Sequence, residues 1–394
     1  MKTNVLILHF NMELGGAESS LIGLLDAFDY EKYEVDLLLY AQSGALLSAI
    51  NPNVNVLHEI KEYKALTETI KSNFANNEWK IGLARILAKL ICKLSRGALH
   101  FPHNYKMLFH KLCIPFLPKI EKEYDLAISF NDPHYIIGSK VTAGTKMAWF
   151  HTDASRIEFY DPIEKEMWGK VNYIVNVSED CKREFDKKHP YLQNKSIVIE
   201  NILSKNLILK RCREEISEDI KNNQDFVLLS IGRFSAQKNF DNVPDICKKI
   251  RKKGLNVKWY LIGYGGDEEL IRTRIKEAGM QEYVIILGKK DNPYPYIKAC
   301  DIYVQPSRYE GKCVAVREAQ LLGKPVVITN YATAGSQLDD GVDGIIVPMD
   351  NEGCAEGIAA LLKDTDVQQH LIENTRERDY TNASEIEKIA KLCL

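Results

Sequence analysis

Short apolar runs recur along the chain, each followed by a longer stretch with helical spacing, and this alternation is the strongest constraint on the fold. Runs of four to six residues bounded by turn signals suit strands buried on both faces, and the intervening segments suit crossover helices. In the first half the runs fall at 5–8, 35–39, 54–57, 126–130, 147–150, 173–177 and 196–199. A polar, weakly patterned stretch from Ser204 to Gln224 follows, and a second series then opens at 226–231, 258–262, 284–287, 302–304, 326–329 and 344–347. Two successive series predict an α/β protein with two Rossmann-like, doubly wound domains facing a cleft. The expected boundaries are 1–205 and 206–375, with a terminal helix at about 376–394 packing back on the first domain.

Composition narrows the function classes. The 394 residues carry 52 Lys and Arg against 54 Asp and Glu, a formal charge of −2, so nothing draws the whole chain to nucleic acid. Nine cysteines lie scattered with no C-x-x-C pair, which fits reduced thiols in a cytoplasmic protein and predicts no zinc site. The first apolar run is too short for a signal-peptide core, and no stretch of about 18 apolar residues offers a membrane-spanning helix.

Chemistry-bearing residues cluster at predicted strand ends in the second series. Gly232 and Arg233, with Lys238 shortly after, follow one strand; Gly263 and Gly265 follow the next. Pro306 ends a third, and the loop from Ser307 carries Glu310 and leads into a helix expected from Lys312 to Gly323, with Glu318 inside it. If both were helical, the two glutamates would be about 80° apart, but the loop frees Glu310 to reach over the helix start. Free amides near Gly311, Lys312 and Cys313 suit an anion, and two carboxylates suit hydroxyl groups. A ligand with phosphates in the middle and polyols at both ends satisfies all of them, as a nucleotide sugar does. Arg233 and Lys238 then place two cations on its diphosphate with no metal ion called for.

The Glu310-x7-Glu318 spacing, Pro306-Ser307, Gly232-Arg233 with Lys238, the Gly263-x-Gly265 turn and the segment from Asp340 to Pro348 together resemble the retaining glycosyltransferases of family 4, the group 1 glycosyl transferases of GT-B fold. The likeness covers most of 225–350, and Gly15-Gly16-Ala17-Glu18 extends it to the N-terminal half. The resemblance implies that Glu310 contacts hydroxyls of the donor sugar and Glu318 the ribose. It implies that Arg233, Lys238 and the amides of Gly311 to Val314 hold the diphosphate. Gly15 and Gly16 resemble the glycine loop that closes on the donor, His151 the strand-end histidine beside the donor sugar, and Asn201 the one residue kept from a P-N-G motif.

Where many relatives have E-G-F-G or E-G-F-P, this chain has Glu310-Gly311-Lys312-Cys313, a variant similar to that of bacterial polysaccharide enzymes. Lys312 adds a cation near the diphosphate. Cys313 reads as a small residue that lets phosphate approach, because nothing nearby in sequence supplies a base for a nucleophile. Without the resemblance, His151 reads equally as a buried strand-end histidine.

From Lys80 to Ile120 there is no acid, yet there are eight cations. Projected at ~100° per residue, Arg85, Lys89, Lys93 and Arg96 share one face of a helix, and Leu83, Leu87, Leu90, Ile91, Leu94 and Ala98 fill the other. Two readings stay open: a helix packed on its domain with a solvated basic face, or one that docks, with the aromatic segment from His100 to Phe109, on an anionic membrane or a lipid diphosphate acceptor.

These residues predict a hexosyltransferase that uses a nucleoside diphosphate sugar, UDP-linked first and GDP-linked second, with a glycan or lipid-linked acceptor and no cofactor or metal. The expected location is the cytoplasm, with peripheral contact at the inner face of the cell membrane as the docking reading requires. The alternatives are a nucleotide-sugar epimerase of the same fold and a non-catalytic nucleotide-sugar-binding protein. A dinucleotide oxidoreductase fits less well, because Gly15-Gly16-Ala17-Glu18 lacks G-x-G-x-x-G.

Overall fold

The computed structural model describes residues 2–13, 15–95, 101–152, 154–216, 220, 225–310 and 313–393. The chain divides into two compact units, Met1–Ile202 with Asn382–Leu394, and Leu203–Thr381. The return to the first unit thus begins at Asn382, and the stretch 376–381 lies with the second unit.

The N-terminal unit is built on β1 (Thr3–His9), β2 (Tyr33–Leu39), β3 (Asn55–Val56), β4 (Tyr124–Ser129), β5 (Ala143–Phe150), β6 (Tyr173–Asn176) and β7 (Ser196–Val198), in the order β3-β2-β1-β4-β5-β6-β7. Every pairing in it is parallel, with Val5 opposite Val35 on one side and Leu126 on the other. Val5, Leu6, Ile7 and Leu126 are fully buried. Helices on both faces make the strands read as continuous apolar runs instead of alternating ones.

The C-terminal unit repeats the plan with β8 (Phe226–Ile231), β9 (Val257–Ile262), β10 (Val284–Gly288), β11 (Ile302–Gln305), β12 (Val326–Thr329) and β13 (Ile345–Val347), in the order β10-β9-β8-β11-β12-β13. In each sheet the strand order reverses beside the first strand, between β1 and β4 and between β8 and β11. The crevice outside the carboxyl ends at such a reversal is where doubly wound sheets take ligands.

Helix starts differ slightly from expectation. The helix after β1 runs from Gly16 to Ala27, and the one after β11 spans Val314–Leu321 instead of starting at Lys312. The polar, weakly patterned stretch after Ser204 contains a helix, Lys205–Arg211, with Ser204 capping it by accepting the Leu207 amide. The tail is fastened to the N-terminal unit by polar contacts. Asn382 donates to the Asn201 carbonyl at 3.2 Å, and Glu385 accepts the Glu200 amide at 2.8 Å.

The basic helix spans Trp79–Leu94, and its orientation corrects the expectation of a solvated cationic face opposite packed leucines. Its buried residues are Ile81, Gly82, Ala84, Ala88 and Cys92. Leu83, Leu87 and Leu90 are about half exposed and Leu94 is 81% exposed, while Arg85 is partly buried. The aromatic segment behind it forms the helix Pro102–Cys113, with Phe109 buried and Phe101, just before it, exposed. Arg96, Ala98 and His100 lie outside the described residues.

Candidate active site

The loop that leaves β11 is the centre of the site. Arg308 clamps it: its guanidinium grips both oxygens of Asp241 at 3.0 and 2.8 Å, and its amide donates to the Gln237 carbonyl at 2.8 Å. Thr329 donates to the Ser307 carbonyl and Thr333 to that of Glu310, at 2.5 and 2.6 Å. The β8 and β11 ends, on either side of the strand-order reversal, are thereby stitched together.

Glu310 is buried in this frame. Its Oε1 accepts from Lys238 Nζ at 2.6 Å and from the Ser307 hydroxyl at 2.5 Å, and its Oε2 accepts from Gln237 Nε2 at 3.0 Å. A carboxylate offers about four acceptor positions, so one remains on Oε2 for a hydroxyl of a ligand. Behind it runs a buried relay in which Gln305 donates to Ser307 at 2.9 Å and Tyr303 donates to Gln305 at 2.8 Å. Burial works against the Lys238 ammonium, but Cys313 and Glu310 beside it hold its pKa above the ordinary lysine value. Burial pushes the Cys313 thiol up despite Lys238, so the sulfur is neutral at pH 7, which fits packing rather than nucleophilic work.

Arg233, one residue past Gly232, has an exposed side chain with no hydrogen bond or ion pair among the described residues. Gly263 lets the neighbouring loop close in: a Cβ there would lie 1.9 Å from the Gly232 carbonyl oxygen. Gly311 and Lys312 lie outside the described residues. The Cys313 amide, expected to be free for an anion, instead donates to Gln337 Oε1 at 2.7 Å.

Glu318 is treated differently from Glu310. It is buried with no cation partner among the described residues, and Tyr294 donates to its Oε1 at 3.1 Å. Burial pushes its pKa up to about 7, and the Tyr294 hydrogen bond offsets only part of that. The two carboxylates share no hydrogen-bond partner, yet both act on Tyr303, whose phenol pKa is driven up first by burial, then by Cys313, Glu318 and Glu310.

In the N-terminal unit the other predicted residues gather after β1 and β5. The helix that begins at Gly16 carries Glu18 in its first turn, and Glu18 Oε1 lies 3.3 Å from His9 Nε2. Burial alone would raise the Glu18 pKa, but the His9 hydrogen bond, its own backbone amide and the nearby His9 and His151 rings bring it below the ordinary value. A side chain on Gly15 would meet Glu18, because its Cβ would stand 2.2 Å from Oε2. His151 Nε2 lies 2.8 Å from the Phe130 carbonyl, which can only accept, so the proton sits on Nε2 and Nδ1 keeps its lone pair. Burial lowers the His151 pKa to about 4, so the ring is neutral at pH 7. Asn201 accepts from the Ser20 hydroxyl at 2.8 Å, which ties it to the same helix.

Sequence reasoning missed Gln237 and Tyr294, and it named Ser307 and Glu18 within motifs without giving them a role. Only Glu18 had a visible signal, an acid in the first turn after a double glycine.

Residues 213–378 match the family described as Glycosyl transferases group 1, nearly the whole C-terminal unit. The C-terminal unit is thus similar to group 1 glycosyl transferases over most of its length. An uncharacterized glycosyltransferase of Methanocaldococcus jannaschii is 24% identical over 176 residues, 44% of this chain and 43% of that protein. An N-acetylgalactosaminyltransferase of Campylobacter jejuni, named for a diphospho-undecaprenol acceptor, is 26% identical over 179 residues, 45% of this chain and 48% of its own. The matched stretch thus spans less than half the length of each of these curated relatives. Among solved structures, HepE of Anabaena in complex with UDP-glucose superposes with a TM-score of 0.61 at 17% identity, covering 99% of both chains. The chain therefore has the GT-B fold, and the stretch similar to the group 1 family lies in its C-terminal unit.

Proposed function

We propose that the chain is a retaining glycosyltransferase of family 4 that transfers a hexose from a nucleoside diphosphate sugar to a hydroxyl of a glycan or lipid-linked acceptor in bacterial polysaccharide synthesis. The observation that carries this reading is the buried Glu310, held by Lys238, Ser307 and Gln237 with one acceptor position left, together with Arg233 at the β8 end, whose side chain has no partner among the described residues. Glu310 accepts from a sugar hydroxyl and Glu318 from the ribose. Arg233 and Lys238 stabilise the negative charge that grows on the departing diphosphate, the main electrostatic contribution, with no metal ion called for. The bond from the anomeric carbon to the diphosphate breaks, the acceptor oxygen bonds to that carbon on the same face, and its proton passes to the leaving phosphate. UDP is the first choice of nucleotide, supported by the UDP-glucose complex of HepE, and GDP the second. Gly15, Gly16, Asn201 and His151 belong to the donor's surroundings in this reading.

Thermal-shift screening with UDP-, GDP- and ADP-hexoses identifies the donor, because a ligand bound to the folded state alone raises the melting temperature. With that donor, Glu310→Ala abolishes transfer but largely keeps nucleoside diphosphate binding, and Glu318→Ala weakens that binding. Wild-type turnover by Glu310→Ala refutes the assignment.

The outward leucines of Trp79–Leu94, flanked by exposed Lys89 and Lys93 in an acid-free stretch, fit one partner, an anionic bilayer. No helix among the described residues is long and apolar enough to cross a membrane. Sedimentation with phosphatidylglycerol vesicles but not phosphatidylcholine vesicles is expected. Equal binding to both, or to neither, removes this part of the reading.

A further inference from the structure

A cavity of about 320 Å³ opens in the N-terminal unit where the chain leaves β1. Phe10 lines it just past that strand, Arg85 reaches it from the helix Trp79–Leu94, and Tyr105, Lys106, Phe109 and His110 line it from the helix Pro102–Cys113. β1 borders the strand-order reversal of the N-terminal sheet, so the cavity sits at the kind of place where such sheets take ligands.

Among the described residues the wall carries two cations and no carboxylate. Arg85 lies 4.2 Å from the centroid of the Phe109 ring and donates through one terminal nitrogen to the Leu66 carbonyl at 2.7 Å. Its Nε is buried with no partner among the described residues. Lys106 donates to the Asp132 carbonyl at 2.7 Å and lies 4.8 Å from the centroid of the Phe10 ring. Beside them His110 is buried with an unpartnered Nδ1. Burial first, then the charges of Lys106 and Arg85, lowers its pKa to about 3, so the ring is neutral.

Two cations at one wall, Arg85 and Lys106, call for a counter-charge, and an anion with several oxygens can reach both. A carboxylate has two oxygens for these groups. A phosphate has three and also suits the paired geometry of an arginine fork and a lysine. The half-buried rings of Phe10 and Tyr105 add apolar surface suited to a sugar face.

We propose that this cavity binds the phosphate or diphosphate ester of the acceptor, with Arg85 and Lys106 on the anion and the aromatic rings against what it is esterified to. The word acceptor rests on the glycosyltransferase reading above, whereas the anion site rests on the cavity alone.

The test is calorimetric titration of the full chain with inorganic diphosphate in saturating UDP, so that a nucleotide site elsewhere is already filled. Wild type is expected to bind diphosphate. Lys106→Met weakens binding about tenfold or more, the weight of one charge-assisted hydrogen bond. Asn11→Asp, also at the cavity wall, puts a negative charge there while keeping the side-chain oxygen that accepts the Glu13 amide, and it too weakens binding. It therefore tests the site even if Lys106→Met fails to fold. No diphosphate binding by wild type, or binding unchanged in both variants, overturns the proposal. An acceptor ester further requires that farnesyl diphosphate compete with inorganic diphosphate and that phosphatidylglycerol vesicles do not. Displacement by the vesicles assigns the site to a lipid headgroup and overturns the acceptor role. Failure to bind UDP counts against the donor reading alone, because the diphosphate titration is read separately.

Discussion

Replacing Glu318 with glutamine should stabilise the protein by an amount that grows as pH rises from about 4.5 to about 7 and is constant above that. Glu318 is 8% exposed, has no cation partner among the described residues, and has its pKa raised by burial from the ordinary 4.5 to about 7. In the unfolded chain the carboxyl ionises near 4.5, whereas in the folded protein it holds its proton to about 7. The stability this group contributes is therefore complete below 4.5, falls as pH rises between the two values, and is gone above about 7. The shift corresponds to about 3 kcal/mol. Glutamine cannot ionise and keeps an oxygen for the Tyr294 hydroxyl, so Glu318→Gln removes the cost without removing the hydrogen bond.

The measurement is thermal or urea unfolding of both proteins from pH 4.5 to pH 8.5. Near pH 4.5 the two should differ little. At pH 8.5 the variant should be more stable by up to about 3 kcal/mol, roughly 6–12 °C in melting temperature for a unit of this size. A constant difference across the range, or a variant less stable at pH 8.5, refutes the claim that an unpaired, buried carboxylate sits beneath the site. The same variant ties the stability effect to function, because a residue kept at such cost and then used to accept from the ribose should lose nucleoside diphosphate affinity while gaining stability.

Lys238→Met leaves Glu310 buried without its cation and should cost about 3–5 kcal/mol by chemical denaturation. Adding Glu310→Leu should recover part of that loss, and a double variant no more stable than Lys238→Met argues against a coupled pair. Gly263→Ala forces a Cβ to within 1.9 Å of the Gly232 carbonyl oxygen, so it should lower the melting temperature and weaken UDP binding together. Leu87→Gln with Leu90→Gln, both half exposed, should leave stability within about 0.5 kcal/mol per site while abolishing vesicle binding. Unchanged vesicle binding would show that the leucines are not the contact.

The two sheets were legible because a strand covered on both faces has to be apolar throughout, and each of the expected runs forms a strand with ends displaced by a few residues. Gly232, Arg233, Lys238 and Glu310 were legible for a related reason: they directly follow strands, and strand ends at the order reversal lie side by side whatever the loops do. What could not be read was how each carboxylate is held. Ser307, Gln305, Gln237 and Tyr294 are ordinary polar residues in sequence. They acquire meaning only when tertiary packing removes water from around Glu310 and Glu318 and leaves them as the remaining donors. Spacing showed that two glutamates share a helix region, but not that one is paired and the other is not.

The helix Trp79–Leu94 fails the amphipathic rule for a physical reason that its sequence half reveals. The rule assumes that the wider apolar stripe turns inward, which holds when the core has room for leucine. Here Ala84, Ala88 and Cys92 form a row of small side chains four residues apart, and that row faces inward with Ile81 and Gly82. Small residues let the neighbouring helix Pro102–Cys113 approach closely, and this close packing brings Phe109 under the Arg85 guanidinium. The arrangement places one cation of this helix at the cavity and turns Leu83, Leu87, Leu90 and Leu94 outward. Burying those leucines within the unit would favour folding, so their exposure is a cost that packing accepts. A single helix thus presents an anion-binding side chain inward and an apolar, lysine-flanked face outward, the combination needed to handle a molecule whose charged group and hydrocarbon part must be held at once.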